Sequence, residues 1–181
     1  MAIIKNVNAD AIIAVYPFTP QPSITQAIIS VSEVPVFVGV GGGMTNGDRS
    51  VRLAEFSEHQ GASGVVVNAP ISNETIAKMK AVVDIPVVTT IVSGDMDIAG
   101  RLAAGADILN VSGASRTPEI VTKIRAEFPT VPIIATGGPR EEDILRPIEA
   151  GANAITYPPP TTGQLFADIM ISHRKNFSHQ D

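Results

Sequence analysis

Two strand-forming phrases alternate along this chain, and their alternation constrains the fold more than any other feature. The first is a β-branched residue, a proline, and a β-rich run ending in glycine. It occurs as VPVFVGVGGG from Val34, IPVVTTIVSG from Ile85 and VPIIATGG from Val131. Pro35, Pro86 and Pro132 stand where a strand begins and a missing N–H is tolerated. The second phrase is GASGVVVNAP from Gly61, GADILNVSGA from Gly105 and GANAITYPPP from Gly151. Here glycine closes a helix in the left-handed conformation and a strand follows within a few residues. Each phrase returns at roughly 45 residues, so one period holds two strand–helix units. Three periods make six units, and AIIAVYPF with SITQAIISVSEV makes a seventh.

The segments between strands have helical spacing. SNETIAKMKAVVD puts Ile76, Met79, Lys80 and Val83 on one face behind a capping-box start at Ser72 or Asn73. RTPEIVTKIRAEF opens with Thr117 as cap and Pro118 at the first helical position. REEDILRPIEAGA carries acids in its first turn, which suits the helix dipole. Strand–helix alternation with continuous apolar strands predicts a parallel sheet under helices, in one domain over residues 1–181. Seven repeated units favour a compact parallel (β/α) barrel of TIM type; a doubly wound open sheet is the competing layout. An eighth strand is expected at the N-terminal AIIKNV, or else the barrel is gapped or completed by a neighbour.

Composition limits what such a barrel can do. Apolar residues make up 44% and aromatics 4%, with no Trp, so the core is aliphatic, as in buried parallel strands. Cysteine is absent, which removes disulfides, thiolate metal sites and thiol nucleophiles. The formal charge of -5 argues against a general nucleic-acid or anionic-membrane surface. No apolar run is long enough to span a membrane, and a cytoplasmic protein is the expectation.

In parallel barrels the loops after the strands form the working face. Here they are rich in Gly, Ser, Thr and Asn. Gly137 and Gly138 follow the sixth strand and would let backbone N–H groups face a ligand. Thr161 and Thr162 cap the last helix, and Gly163 keeps its entrance open. Helix N-termini attract anions, so these five residues predict an anion site; the plain alternative is a turn and a cap. Asn68 and Asn110 end two strands of the second phrase despite poor β propensity, and are candidates for polar contacts, with Ser112 and Gly113 beside the second. Arg116 and Arg140 stand at helix starts just after strands five and six, where a cation opposes the dipole; holding an anion would explain them. The GVGGGMTNGDR loop fits neither a dinucleotide fingerprint nor a Walker loop, and reads as a mobile cover over the mouth.

Candidates for chemistry are few. The lysines, at 5, 78, 80, 123 and 175, lie in helices or near the termini, which argues against a strand-end Schiff base. His59, His173 and His179 read as surface residues. Asp95 and Asp97 follow the fourth strand as helix-capping residues or as a general base or Mg²⁺ ligands, and Tyr157 stands at the mouth. No cofactor is otherwise expected.

VPIIATGGPREEDILRPIEAGANAITY resembles the closing segment of phosphate-binding, aldolase-type TIM barrels, among them thiamin-phosphate synthase-like and sugar-phosphate epimerase-like enzymes. The ATGG and EAGANAI elements carry the resemblance. It implies phosphate at the last two strand–helix loops. In place of the family's small Gly- or Ser-containing turn stands YPPP, whose prolines give no N–H, so Thr161, Thr162 and Gly163 would have to supply the donors. The layout also resembles glycerol-3-phosphate-responsive antiterminator regulators, with MTNG at 44–47 after an early strand. The expected function is therefore a lyase-, isomerase- or epimerase-type enzyme on a phosphorylated or carboxylated metabolite. The alternatives are a ligand-sensing regulatory barrel without catalysis, and a binding scaffold. Unpaired strand edges at an imperfect seam predict a homo-oligomer.

Overall fold

In a computed structural model, which describes residues 2–6, 8–16, 18–138 and 140–177, the β-rich runs form seven strands. These are β1 (Ile12–Ala14), β2 (Val36–Gly41), β3 (Gly64–Val67), β4 (Val87–Ile91), β5 (Ile108–Val111), β6 (Ile133–Thr136) and β7 (Ala154–Thr156). They form one sheet in the order β1-β2-β3-β4-β5-β6-β7, and every adjacent pair is parallel. A doubly wound sheet needs a point where the strand order reverses, and this sheet has none. The architecture is a nearly closed TIM-type (β/α) barrel.

The helices are α1 (Ala2–Lys5), α2 (Pro22–Val31), α3 (Asp48–His59), α4 (Asn73–Lys80), α5 (Ile98–Ala103), α6 (Thr117–Glu127), α7 (Glu141–Glu149) and α8 (Thr162–Phe177). The expected eighth strand AIIKNV is corrected by α1: Asn6 donates to the Ile3 carbonyl at 3.2 Å, and Lys5 pairs with Glu33 beyond α2. Val7 lies outside the described residues. The barrel is therefore gapped between β1 and β7.

The period of two along each strand decides what faces where. Val36, Val38 and Val40 of β2, with Val65 and Val67 of β3, pack against Ala54, Ile76 and Met79 of the helices. Leu109 and Val111 of β5, with Ile133 and Ala135 of β6, pack against Ile120, Val121 and Ile124 of α6. The core is this sheet–helix layer. The alternate residues, from Phe37, Gly39, Val66 and Val88 to Thr90, Asn110 and Thr136, line the lumen. Gly64 exists because the Phe37 ring occupies that space; a Cβ there would stand 2.5 Å from it.

The second phrase has a physical reason at each residue. Its glycines close helices at φ 94, 103 and 105 for Gly61, Gly105 and Gly151. Two residues on, Asp107 accepts from the Val87 N–H at 2.8 Å, and Asn153 from the Ile133 N–H at 2.9 Å. Lys80 then bonds Asp107 at 2.9 Å, and Arg125 bonds Asn153 at 3.0 Å. The phrase thus ties each new strand to the one before.

Candidate functional site

All strands run the same way, so the loops that follow them share one end of the barrel. On the β1–β3 side the mouth holds a small cleft of about 70 Å³ lined by Tyr16, Phe18, Met44, Thr45, Val66 and Asn68 among others. The triple glycine shapes it. Gly42 has φ +92, and a Cβ there would meet the Asn68 backbone at 2.5 Å. Asn68 N–H donates to the Gly41 carbonyl, and Gly42 N–H to the Thr45 carbonyl, each at 2.9 Å. Ser50 also donates to the Thr45 carbonyl, at 3.1 Å. The loop expected to be a mobile cover forms a turn held by these bonds, whose glycines permit close approach of backbone to backbone. Asn68 keeps its side chain exposed at the rim.

On the β4–β7 side the lumen carries a polar stripe: Thr90, Asn110, Ser112, Thr136 and Thr156. Thr90 pairs in register with Asn110, and Asn110 with Ile134. The Asn110 amide nitrogen donates to the Thr90 hydroxyl at a long 3.4 Å, and its Oδ1 is buried without a partner. A buried amide oxygen left unpaired costs about 1–3 kcal/mol, so this atom needs explaining. The loop beyond it is strained. Ala114, at φ 53, is the one non-glycine with positive φ among the described residues. Such outliers gather at functional sites. Thr117 does not act as the expected cap: its buried hydroxyl turns back to accept from the Gly113 N–H at 3.0 Å, and a 3₁₀ turn over Ala114–Arg116 intervenes. Among the described residues the Arg116 guanidinium has no acid or carbonyl partner.

The Gly137–Gly138 rim differs from expectation. Gly137 N–H is taken by the Thr156 carbonyl at 2.8 Å, so it faces the sheet and not a ligand. Its glycine is required by packing, because a Cβ would lie 2.9 Å from Ile155 Cγ2. Gly138 is required by Asp143, whose carboxylate would be 2.6 Å from a Cβ. Arg140 holds that carboxylate through Nη2 at 2.8 Å and Nε at 3.0 Å, and also pairs with Glu142 at 2.5 Å. The Arg140 hydrogen bond holds the Asp143 carboxyl below the ordinary range. An acid thus already stands at the start of α7. At α8, Thr161 and Gln164 make a reciprocal capping box, with bonds of 2.8 and 3.2 Å. Thr162 opens the helix, and a Cβ on Gly163 would meet nothing within 4 Å. Tyr157 and Pro158–Pro160 are exposed before them.

Asp95 and Asp97 are brought to the helix layer rather than to the polar stripe. Asp97 caps α5, accepting from the Gly100 N–H at 2.8 Å. Asp95 pairs with Lys123 at 3.6 Å. Both line a cleft between α5 and α6, with Met96, Ile124 and Phe128. Among the described residues no group of three or more His, Asp or Glu side chains gathers that could hold a metal ion. No lysine lies on a strand. Lys5, Lys78, Lys80 and Lys123 are each paired with an acid. His59 bonds the Glu55 carbonyl at 2.7 Å, and His179 lies outside the described residues.

The structure thus groups Asn110, Ser112, Gly113 and Arg116 on one strand and its loop. Sequence reasoning had Thr90, Thr136 and Thr156 among the strand-end stretches of the working face without singling them out, and it gave no sign of the Ala114 conformation. The alternation within VVTTIVSG carried a signal for Thr90, since Val88 and Thr90 share the face that Asn110 occupies on the next strand. The Ala114 backbone left none. Also missed was Arg101. It is buried, burial holds its pKa below the ordinary value, and it donates to the Ile71 carbonyl and, at 2.7 Å, to the Ala69 carbonyl, fixing the loop after β3.

The fold defines the class: a TIM-type barrel with a neutral polar lumen. No protein-family model matches the chain, and no curated protein matches it in sequence. Solved structures do. A protein described as a phosphonomutase from Burkholderia cenocepacia superposes with TM-score 0.68 at 16% identity, over 98% of this chain and 88% of that one. A dihydrodipicolinate synthase from Bacillus anthracis gives 0.65 at 14%, over 86% and 60%. An aldolase, QR15, gives 0.64 at 16%, over 86% and 91%. The chain spans about 60% of the length of the dihydrodipicolinate synthases it matches. At these identities the likeness is one of fold. Among the described residues no helix is long and apolar enough to cross a membrane.

Proposed function

We propose that the chain is a small-molecule-binding barrel of lyase or isomerase type, acting on a hydroxylated carboxylate or phosphate held in the β4–β7 half of the lumen. The observation that carries this reading is the buried, unpaired Asn110 Oδ1, which awaits a ligand hydroxyl or N–H donor. Thr90, Ser112, Thr136 and Thr156 offer further neutral contacts around it. The unpartnered Arg116 on the strained loop is the cation for the ligand's anionic end. The neighbours named as a synthase, an aldolase and a phosphonomutase make bond-cleaving or rearranging chemistry the reaction type to test first. A Schiff base is not part of the proposal, since no lysine reaches the lumen from a strand. The phenols of Tyr157 and Tyr16 stand at the mouth as the groups able to carry a proton, though Tyr16 already accepts from the Gln21 N–H at 2.5 Å.

A panel of hydroxy-carboxylates and sugar phosphates tests the reading by thermal shift, with turnover followed by NMR. A hit at a hundred times its dissociation constant stabilises by about 2.7 kcal/mol. Asn110→Ala is expected to weaken such a hit at least tenfold, and Arg116→Gln to weaken the anionic members alone. Hits indifferent to Asn110→Ala would overturn the site. Binding with no turnover across the panel would overturn the catalytic half and leave a ligand sensor.

A further inference from the structure

Three consecutive glycines follow the start of the loop after β2, and the fold accounts for two of them. Gly41 is needed because a Cβ would stand 2.0 Å from Ser50 Oγ, and Gly42 because of its φ of +92 and the Asn68 backbone at 2.5 Å. Gly43 is different. A Cβ there would meet only the Asn68 side-chain nitrogen, at 3.9 Å, which is ordinary contact, and its φ lies outside the left-handed region. Neither strain nor packing asks for glycine, so its bareness has another reason. Gly43 lines the cleft of about 70 Å³ on the β1–β3 side of the mouth. Among the described residues, none that lines this cleft is charged. Val15, Phe18 and Met44 stand around it and are 56%, 70% and 82% exposed, and buried Val66 of β3 belongs to the same lining.

The walls of the cleft are fixed from within the chain. The Thr45 hydroxyl donates to Thr19 Oγ1 at 3.2 Å, which ties the loop after β2 to the loop after β1. The Tyr16 hydroxyl accepts from the Gln21 N–H, which holds its ring. Gly39 lets Val15 close in, since a Cβ would lie 2.8 Å from Val15 Cγ1. The cleft opens on the same lumen as the polar stripe. Val66 pairs in register with Val88, and Thr90, two residues further along β4, pairs with Asn110. One strand therefore separates the apolar lining from the unpaired Oδ1. Size decides what enters. A water takes roughly 30 Å³, and a cavity of about 150 Å³ holds benzene. A volume of about 70 Å³ therefore admits the two methyls of a branched carbon and is too small for a phenyl ring.

We propose that this cleft is the apolar half of the ligand site. It takes a short branched aliphatic group, of isopropyl size, carried by the molecule whose hydroxyl or N–H meets Asn110, and Gly43 keeps it open. The proposal rests on the reading of the lumen as a ligand site, and narrows the ligand to a hydroxylated anion with a branched aliphatic substituent. The test compares glycolate, 2-hydroxy-3-methylbutanoate and mandelate, which share a hydroxyl and a carboxylate and differ in substituent. Isopropanol and benzyl alcohol serve as neutral fragments, and binding is followed by backbone amide shifts in NMR. The branched acid should bind at least about tenfold tighter than glycolate, the discrimination an apolar pocket gives for missing carbons, and mandelate should show no such gain. Gly43→Leu fills the cleft and should erase the gain with an unchanged urea midpoint. Met44→Ala strips one wall at an exposed position and should cut the gain at least about threefold. Equal binding of the branched acid and glycolate, a preference for mandelate, or a gain that survives either substitution would each overturn the proposal. If none of the acids binds, the reading of the lumen has failed, and the fragments decide the cleft separately. Isopropanol shifts at the Gly43, Met44 and Asn68 amides that Gly43→Leu abolishes, with none from benzyl alcohol, would uphold it; their absence would overturn it as well.

Discussion

Replacing Asn110 by leucine is expected to stabilise the fold while removing the ligand site. Oδ1 is buried with no partner, and such a group costs about 1–3 kcal/mol against one that is paired or apolar. The amide nitrogen recovers little of this, because its bond to Thr90 is 3.4 Å long and lies beyond the usual range. Leucine has nearly the same volume, lies in register beside Ile134, and carries no polar atom. Against the gain stands the Thr90 hydroxyl, which loses its neighbour in a position only 8% exposed. The net expectation is about 1 kcal/mol in favour of the variant. For a domain of this length that is a rise of about 2–4 °C in Tm. Urea unfolding of the unliganded protein, checked by calorimetry, measures it. The same preparation should lose every ligand that depends on Asn110, which is the trade between stability and function that binding sites show. A loss of stability above about 1 kcal/mol would refute the argument, because it would mean the amide is structural and satisfied.

Other perturbations probe the supports of the mouth. Arg101→Met keeps the apolar stem but orphans the Ala69 and Ile71 carbonyls, and should cost about 2–3 kcal/mol in urea unfolding; a cost below about 0.5 kcal/mol would show that water replaces the guanidinium. Gly42→Ala should cost at least about 2 kcal/mol, since positive φ and backbone contact act together. Gly163→Ala, in open space on the first turn of α8, should instead stabilise by about 0.5–1 kcal/mol, so equal effects at the two glycines would contradict the geometry. Asp143 has a folded pKa below its ordinary value because of Arg140. It therefore contributes stability that is present above the unfolded carboxylate pKa and lost as pH falls through the folded one; Arg140→Gln should raise the Asp143 pKa by NMR titration and shrink that acid-side loss.

The fold was legible because its cause is local and repeated. The proline at a strand start and the glycine after a helix are single-residue rules, and six occurrences in alternation leave few sheets to choose from. The anion rim at Gly137–Gly138 was misjudged for a related reason. Glycine marks close approach, but sequence does not say what approaches. At Gly137 it is Ile155, at Gly138 it is Asp143, and at Gly42 it is the Asn68 backbone. Asn110, which lies in β5, was singled out as a poor strand former at a strand end. Its partner Thr90 was not, because threonine suits a strand well and raises no question until the register sets it beside an amide. AIIKNV was one place for an eighth strand that the count of units called for, beside a gapped barrel; α1 and the helical bond at Asn6 decide for the gap.

The division between core and lumen explains why this barrel can keep an unpaired amide at all. An eight-stranded barrel fills its interior with layers of bulky side chains. Here the lumen has Gly39 and Gly64 on its early strands and a neutral polar stripe on its later ones, and the seam beside β7 is open. The load falls on the outer layer, where one aliphatic cluster spans β1–β4 with α2–α4 and a second spans β4–β7 with α5 and α6. Substitutions facing the helices, such as Val65→Ala or Leu109→Ala, therefore cut into the structure that holds the fold. Those at the polar stripe of the lumen lie outside both clusters. A site built there can hold an unsatisfied group at modest cost, since the two clusters supply stability independently of it, and the group gains its partner only when a ligand enters.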